Sequence, residues 1–260
     1  MGEISFPEFG ATLRWHERGA GRPLVVLPAL SVPVLSVFGA MIEGPVLAGR
    51  RIILIDYLGS GASDRPADFD FSLAAHARCV AVVLEALGLE AVDVLGHSMG
   101  GSVAIRLALD HPRLVGRLGI GEGNLVPGGG ATSSRIMRYE RQAFIEGGCA
   151  ALGARLREVG SAWLADGWES ADPAVVWGNA AALVGLEPGF GDAFLGMSIP
   201  RTFIFGDRSL AEGLAPDVPD PAMLSAAGVH VVVVPEAGHA MFLDNPGGSA
   251  RAVVEAFPTG

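Results

Sequence analysis

Two cysteines, Cys79 and Cys149, are all the chain has. That is too few for a disulfide framework, and neither stands in a C-x-x-C or similar metal-ligand spacing. Positive charge is also scarce: 18 Lys and Arg against 28 Asp and Glu, a formal net charge of −10. An electrostatic footprint for nucleic acid is therefore missing, and the acidic balance bears on solubility rather than on fold. No apolar run reaches the length of a bilayer span. The opening, MGEISFPEFGATLRWHERG, has no basic stretch followed by an apolar one, so no secretory leader is expected. Ser5 falls one position short of the Ser/Thr of a myristoylation signal, which sets lipidation aside. The expectation is a cytoplasmic protein without a membrane or nucleic-acid partner. The sequence says nothing about oligomeric state.

What the chain does have is 260 residues, 50% of them hydrophobic and 18% charged. One α/β domain with an insertion suits that length better than two independent domains. RPLVVLPAL (22–30), RRIILIDY (50–57), AVDVLGHS (91–98), GRLGIGE (116–122), RTFIFGD (201–207) and VHVVVVPE (229–236) read as strands buried on both faces. Continuous Val, Ile and Leu without alternation is what a parallel sheet covered by helices requires. SLAAHARCVAVVLEALGL (72–89) and GGSVAIRLALDHP (100–112) carry apolar residues at helical spacing, the first ending at Gly88 and the second at Pro112. Segments around Ile4–Phe6 and Thr12–Glu17 read as a β-hairpin joining the same sheet. The pattern predicts an α/β fold with a doubly wound, mostly parallel sheet of eight strands.

From about 124 to 197 the strand rhythm stops. Residues 132–147, 149–167 and 172–185 read as three short helices punctuated by PGGG, GG and PGFG. The expected organisation is a core of 1–123 and 198–260 with a helical cap of 124–197. Trp163, Trp168, Trp177, Phe190 and Phe194 lie in the cap, most of them as packing for its own core. Arg135, Arg138, Arg141, Arg155 and Arg157 read as a solvated helix face, with one of them free to meet a carboxylate on a substrate.

LGHSMGG (95–101) closes a strand and opens a helix, and it fits G-x-S-x-G with Gly96, Ser98 and Gly100. A sharp strand-to-helix reversal needs those glycines and lifts the serine hydroxyl above the sheet. The helix start behind it supplies amide donors and a favourable dipole. With IDYLGSGASDRP (55–66) and VVVVPEAGHAMFLDNP (231–246), this motif resembles the α/β-hydrolase superfamily over nearly the whole chain. The resemblance implies Ser98 as nucleophile and His239 as base, in the family's chain order. His16, His76, His111 and His230 are expected on loop, helix or strand surfaces, and His97 is expected to be a packing residue.

Two departures from the family pattern matter. Many relatives have His-Gly after the third strand, where this chain has LPALS (27–31). An amide does the work there, so Leu30 and Met99 are the expected oxyanion-hole donors, with Ala29 serving after a one-residue shift. The family's usual aspartate falls, in GDRS, on Ser209, whose hydroxyl cannot replace a carboxylate opposite an imidazolium. Asp207, one step past the glycine, is one candidate acid. The favoured one is Glu122 in GIGEGNLVP, flanked by Gly121 and Gly123 at the end of a strand. That placement resembles one branch of the haloalkane dehalogenases and the fungal zearalenone lactonase, where a glutamate at the end of the sixth strand serves.

A serine nucleophile points to acyl transfer through an acyl-enzyme and away from dehalogenation or epoxide opening, which use a carboxylate. No G-x-G-x-x-G and no H-E-x-x-H is present, so neither a cofactor nor a metal is expected. The expected substrate is a small-to-medium apolar carboxylic ester or lactone. Cofactor-free perhydrolase or haloperoxidase chemistry, carbon–carbon bond hydrolysis, and a ligand receptor on a hydrolase scaffold remain as alternatives.

Overall fold

Pairing in the third strand stops at Leu27, because Pro28 has no amide hydrogen to offer a neighbour. The strand is thus three residues shorter than its apolar run, and the chain leaves the sheet there to form a loop over its carboxyl edge. The computed structural model describes residues 1–212 and 218–258. Strands β1 (Gly2–Phe6) and β2 (Ala11–Arg18) form the expected antiparallel hairpin. They are followed by β3 (Arg22–Leu27), β4 (Arg50–Ile55), β5 (Val92–His97), β6 (Val115–Gly121), β7 (Arg201–Gly206) and β8 (His230–Val234). The eight strands lie in the order β1-β2-β4-β3-β5-β6-β7-β8, with β2 antiparallel to β4 and β3 to β8 parallel. This is the doubly wound, mostly parallel sheet that the sequence predicts.

Helix α1 (Val34–Glu43) follows β3, α2 (Leu73–Ala86) follows β4 and α3 (Met99–Asp110) follows β5. Between β6 and β7 come α4 (Ala131–Ile136), α5 (Arg141–Ala143), a π-helical turn (Phe144–Gly148), α6 (Cys149–Glu158), α7 (Ala162–Glu169), α8 (Pro173–Val184) and α9 (Phe190–Leu195). Helices α10 (Asp207–Ala211) and α11 (Pro221–Ala226) separate β7 from β8, and α12 (Met241–Asp244) and α13 (Pro246–Ala256) close the chain. Helices α2 and α3 pack together, and α1, α12 and α13 form a second group. None of the described helices is long and apolar enough to cross a membrane.

Several expectations change in detail. The segment between β6 and β7 contains no strand, but it has six helices and a π turn where three helices were expected. Gly160, at φ +81°, breaks the second of those runs. Strand β8 is not buried on both faces: it ends the sheet, and His230 and Val233 are exposed. Its unbroken valine run has the composition of a central strand and the position of an edge. His76 is not on a surface but wholly buried.

At the amino end of β5, far along the strand from Ser98, Asp93 is wholly buried and meets three arginines. It accepts from Arg22 Nε at 3.1 Å and Arg117 Nε at 2.6 Å, and it also pairs with Arg50. Arg50 and Arg117 in turn bond the carbonyls of Phe257 and Pro258, which ties the chain's end to the sheet. Burial works to raise the Asp93 pKa, yet the arginines hold it below the ordinary carboxylate value. Asp93→Ala would leave buried guanidinium groups uncompensated, so we predict a loss of about 3–5 kcal/mol of stability. Urea denaturation should show this, while activity per folded molecule stays unchanged. A loss under about 1 kcal/mol, the scale of a surface pair, would contradict it.

Candidate active site

The parallel strands bring their carboxyl ends to one edge of the sheet, which is where open α/β sheets bind ligands. Ser98 follows β5 with φ +53° and ψ −120°, a strained conformation for a residue other than glycine. Its amide is held by the Gly121 carbonyl on β6 at 2.8 Å, and its carbonyl accepts the Gly101 amide at 2.9 Å as α3 begins. The tightness of this turn accounts for its glycines. A Cβ on Gly96 would stand 2.2 Å from the Gly100 carbonyl oxygen, and one on Gly100 would stand 2.3 Å from that of Leu27.

One strand over, Glu122 leaves β6 with its amide bonded to the Ile204 carbonyl at 3.1 Å and with φ +43°. Its side chain is almost entirely buried. One carboxylate oxygen, Oε1, accepts the Gly206 amide at 2.9 Å. The other, Oε2, accepts from His239 Nδ1 at 2.9 Å and from the Ser209 hydroxyl at 3.2 Å. Burial pushes the Glu122 pKa up, but His239, the Gly206 amide and Ser209 together outweigh it, and the group lies below the ordinary glutamate value. A carboxylate is therefore maintained beside the imidazole. The flanking glycines give room to neighbours rather than to the carboxylate: Gly121 lies under the Phe242 ring, and Gly123 against Ile120 and Gly101.

The other candidate acid does something different. Asp207, at the start of α10, accepts the amides of Glu236 at 2.8 Å and Ala237 at 3.0 Å. It braces the loop between β8 and α12 that carries His239. Two residues that sequence reasoning treated as bland belong to this region. Ser209, where the resemblance led one to expect an aspartate, is a donor to Glu122. His97 is buried, and its Nε2–H donates to the His239 carbonyl at 2.7 Å. Burial, with His239 nearby, lowers its pKa to about 3, so His97 is neutral and serves as a fixed donor. Its place beside Ser98, at the top of a buried strand, was the signal available.

Ser98, Glu122 and His239 all line one cavity of about 400 Å³. Leu30, Leu156, Val159, Trp163, Leu164 and Leu183 form most of its apolar wall, with Thr132, Ser133, Ser161, Arg135 and Glu212 as polar points. Ala29 and Leu30 line it, and Met99 begins α3, where the first amides have no partner within the helix. Trp163 lines the cavity, whereas Trp168, Phe190 and Phe194 are buried away from it. Arg157 is paired with Asp166 at 2.8 Å and with Glu169. Among the described residues no cluster of three or more His, Cys, Asp or Glu is placed to hold a metal.

A doubly wound sheet with a serine on a strained strand-to-helix turn, sharing a cavity with a histidine paired to a carboxylate, is the arrangement of the α/β-hydrolase fold. A family model described as the alpha/beta hydrolase fold matches residues 23–122. A 2-hydroxymuconate semialdehyde hydrolase from Pseudomonas sp. is 37% identical over 110 residues, 42% of this chain and 39% of that protein. The matched stretch thus spans less than half of that relative. Among solved structures, an esterase from Exiguobacterium antarcticum superposes with a TM-score of 0.76 at 21% identity over 95% of both chains. A bromoperoxidase from Bacillus anthracis gives 0.79 at 16% identity over 99% of both. The chain has the fold of the α/β-hydrolases.

The depressed Glu122 pKa makes a pH prediction. The stability it contributes is complete above the ordinary glutamate value of 4.5 and is lost as pH falls through the lower folded-state value. Glu122→Gln should therefore be less stable than wild type at neutral pH, by about 1.5–3 kcal/mol, the range for hydrogen bonds to a charged group. Denaturant titrations at a series of pH values should show the gap closing below 4.5. A gap that widened there would contradict the assignment.

Proposed function

We propose that the protein is a serine hydrolase that cleaves a small-to-medium, largely apolar carboxylic ester or lactone. The observation that carries the reading is the convergence of Ser98 and the His239–Glu122 pair on one aliphatic-walled cavity. Its volume of about 400 Å³ lies in the range of small-molecule sites. Ser98 Oγ attacks the substrate carbonyl and gives its proton to His239 Nε2. Glu122, on Nδ1, holds the tautomer and stabilises the imidazolium that forms. The amides of Leu30 and Met99 donate to the developing oxyanion, an interaction worth roughly 10²–10³ in rate per donor in comparable sites. Collapse breaks the bond to the leaving oxygen, which takes its proton from His239. Water, deprotonated by His239, then attacks the acyl-enzyme, releasing the acid and free Ser98. No cofactor enters this scheme. The segment 124–197 acts as a cap over the cavity and sets chain-length preference through Trp163.

Carbon–carbon bond hydrolysis is the second reading, favoured by the 2-hydroxymuconate semialdehyde hydrolases among the curated relatives. The same serine, histidine and acid would serve it, so substrate decides between the two. A panel of p-nitrophenyl esters of rising chain length, lactones and 2-hydroxymuconate semialdehyde, with fluorophosphonate labelling, tests both.

In that panel Ser98→Ala should fold normally, lose labelling and retain only residual turnover, as triad knockouts do. Near wild-type ester turnover by this variant would refute the nucleophile. Trp163→Ala, which enlarges the cavity, should move the optimum towards longer acyl chains and change the rate on the best short ester less. An unaltered chain-length profile would remove Trp163 from the specificity wall.

A further inference from the structure

The loop after β3, which supplies one oxyanion donor in the mechanism above, is held mainly by the helices inserted between β6 and β7. Trp168 on α7 is buried and donates its indole Nε1–H to the Leu30 carbonyl at 3.0 Å. Asn179 on α8 is also buried and donates from Nδ2 to the Ser31 hydroxyl at 2.9 Å. The Asn179 amide is itself fixed from behind: its Oδ1 accepts from His76 Nε2 on α2 at 2.8 Å. Burial lowers the His76 pKa to about 4, so the ring is neutral, with its proton on the nitrogen that faces Asn179. Backbone packing adds a third contact. A Cβ on Gly167 would stand 2.4 Å from Val32 Cγ1, so α7 lies directly on the loop.

These contacts fall on residues 30–32, directly after the peptide plane that carries the Leu30 amide. The Leu30 N–H shares its plane with the Ala29 carbonyl, and that carbonyl accepts the Val32 amide at 3.5 Å. Residues 29–32 thus form a turn, with Ser31 at φ +55° in a region that such residues rarely occupy. A strained turn persists only where its surroundings over-determine it. Here those surroundings include Trp168, Asn179 and Gly167 of the inserted helices.

We propose that Trp168 and Asn179 are positioning residues for the oxyanion donor, so that docking of the inserted helices and competence of the oxyanion hole are one event. The proposal rests on the acyl-transfer reading for its effect on rate. Displacing α7 and α8 releases the Leu30 amide, and the site then loses transition-state stabilisation without losing its nucleophile or base.

The test compares Trp168→Phe, which keeps an aromatic ring and removes the N–H, and Asn179→Ala with the control Arg65→Gln. Arg65 Nε bonds the Ser170 carbonyl at the end of α7 at 3.2 Å, so its loss removes a core-to-insert bond without touching the loop. Two readouts are needed: kcat and KM on the best ester, and amide hydrogen exchange at residues 30–32. Misplacing a catalytic group by about 1 Å can cost 10²-fold, so the first two variants should lose about 10- to 100-fold in kcat with KM within about twofold. Fluorophosphonate labelling should slow in parallel, and exchange at 30–32 should accelerate. Arg65→Gln should leave both readouts near wild type. The proposal is overturned if kcat is unchanged in Trp168→Phe, if exchange at 30–32 does not respond, or if Arg65→Gln reproduces the loss. Should Asn179→Ala fail to fold, Trp168→Phe decides. If the wild type neither turns over ester nor takes the label, the acyl-transfer reading fails. Exchange still decides whether the helices hold the loop, and no response there overturns the proposal as well.

Discussion

The hydrogen bond from His239 Nδ1 to Glu122 Oε2 is the contact on which the rest of the site depends. It joins the end of β6 to a loop beyond β8, across β7, and every neighbour serves to keep its two ends in place. The carboxylate end is fixed by the Gly206 amide and the Ser209 hydroxyl. On the other side, the histidine loop is fixed by Asp207, by His97 and by Asp244, whose carboxylate accepts the Gly238 amide at 2.8 Å. With Nδ1 engaged by Glu122, Nε2 is left as the nitrogen available to the proposed chemistry. Glu122 starts from the end of β6, two strands from β8, and its carboxylate reaches the imidazole in the loop beyond that strand. Ser209 stands beside it as a donor to the same carboxylate.

The same economy extends to the oxyanion side. Strand β3 ends at Leu27, just before Pro28, so the loop that follows cannot be held by the sheet ladder. Two of its polar groups, the Leu30 carbonyl and the Ser31 hydroxyl, are satisfied from above by Trp168 and Asn179, and buried polar groups that are paired rigidify a site. In the proposed function the inserted segment thus becomes part of the machinery of the core, as well as the cover of the cavity.

Much of this was legible in the sequence because the relevant signals are local. Unbroken apolar runs marked the parallel strands, and the glycines of LGHSMGG marked a turn too tight for side chains. The pairing of Glu122 with His239 was readable because Ser209 stood where a carboxylate was expected. What was not legible depends on long-range contact. The sequence reading has no element over α1 or α13. The first lacks a side-chain cap and the second opens with Pro-Gly-Gly, and both form where they pack together. The burial of His76 and the role of Asn179 arise only when α8 docks on α2, and the role of Trp168 only when α7 docks on the loop after β3. Nor does a valine run reveal that β8 has a neighbour on one side only.

The central claim is that Glu122, and not Asp207, supplies the charge beside His239. Comparing kcat for Glu122→Gln and Asp207→Asn on the best substrate tests it most directly. Both changes keep side-chain shape and remove charge. The account predicts a fall of about 10⁴ for Glu122→Gln, as for the equivalent acid of the serine proteases, and retention of most activity in Asp207→Asn. The reverse pattern, with Asp207→Asn inactive and Glu122→Gln near wild type, would contradict it.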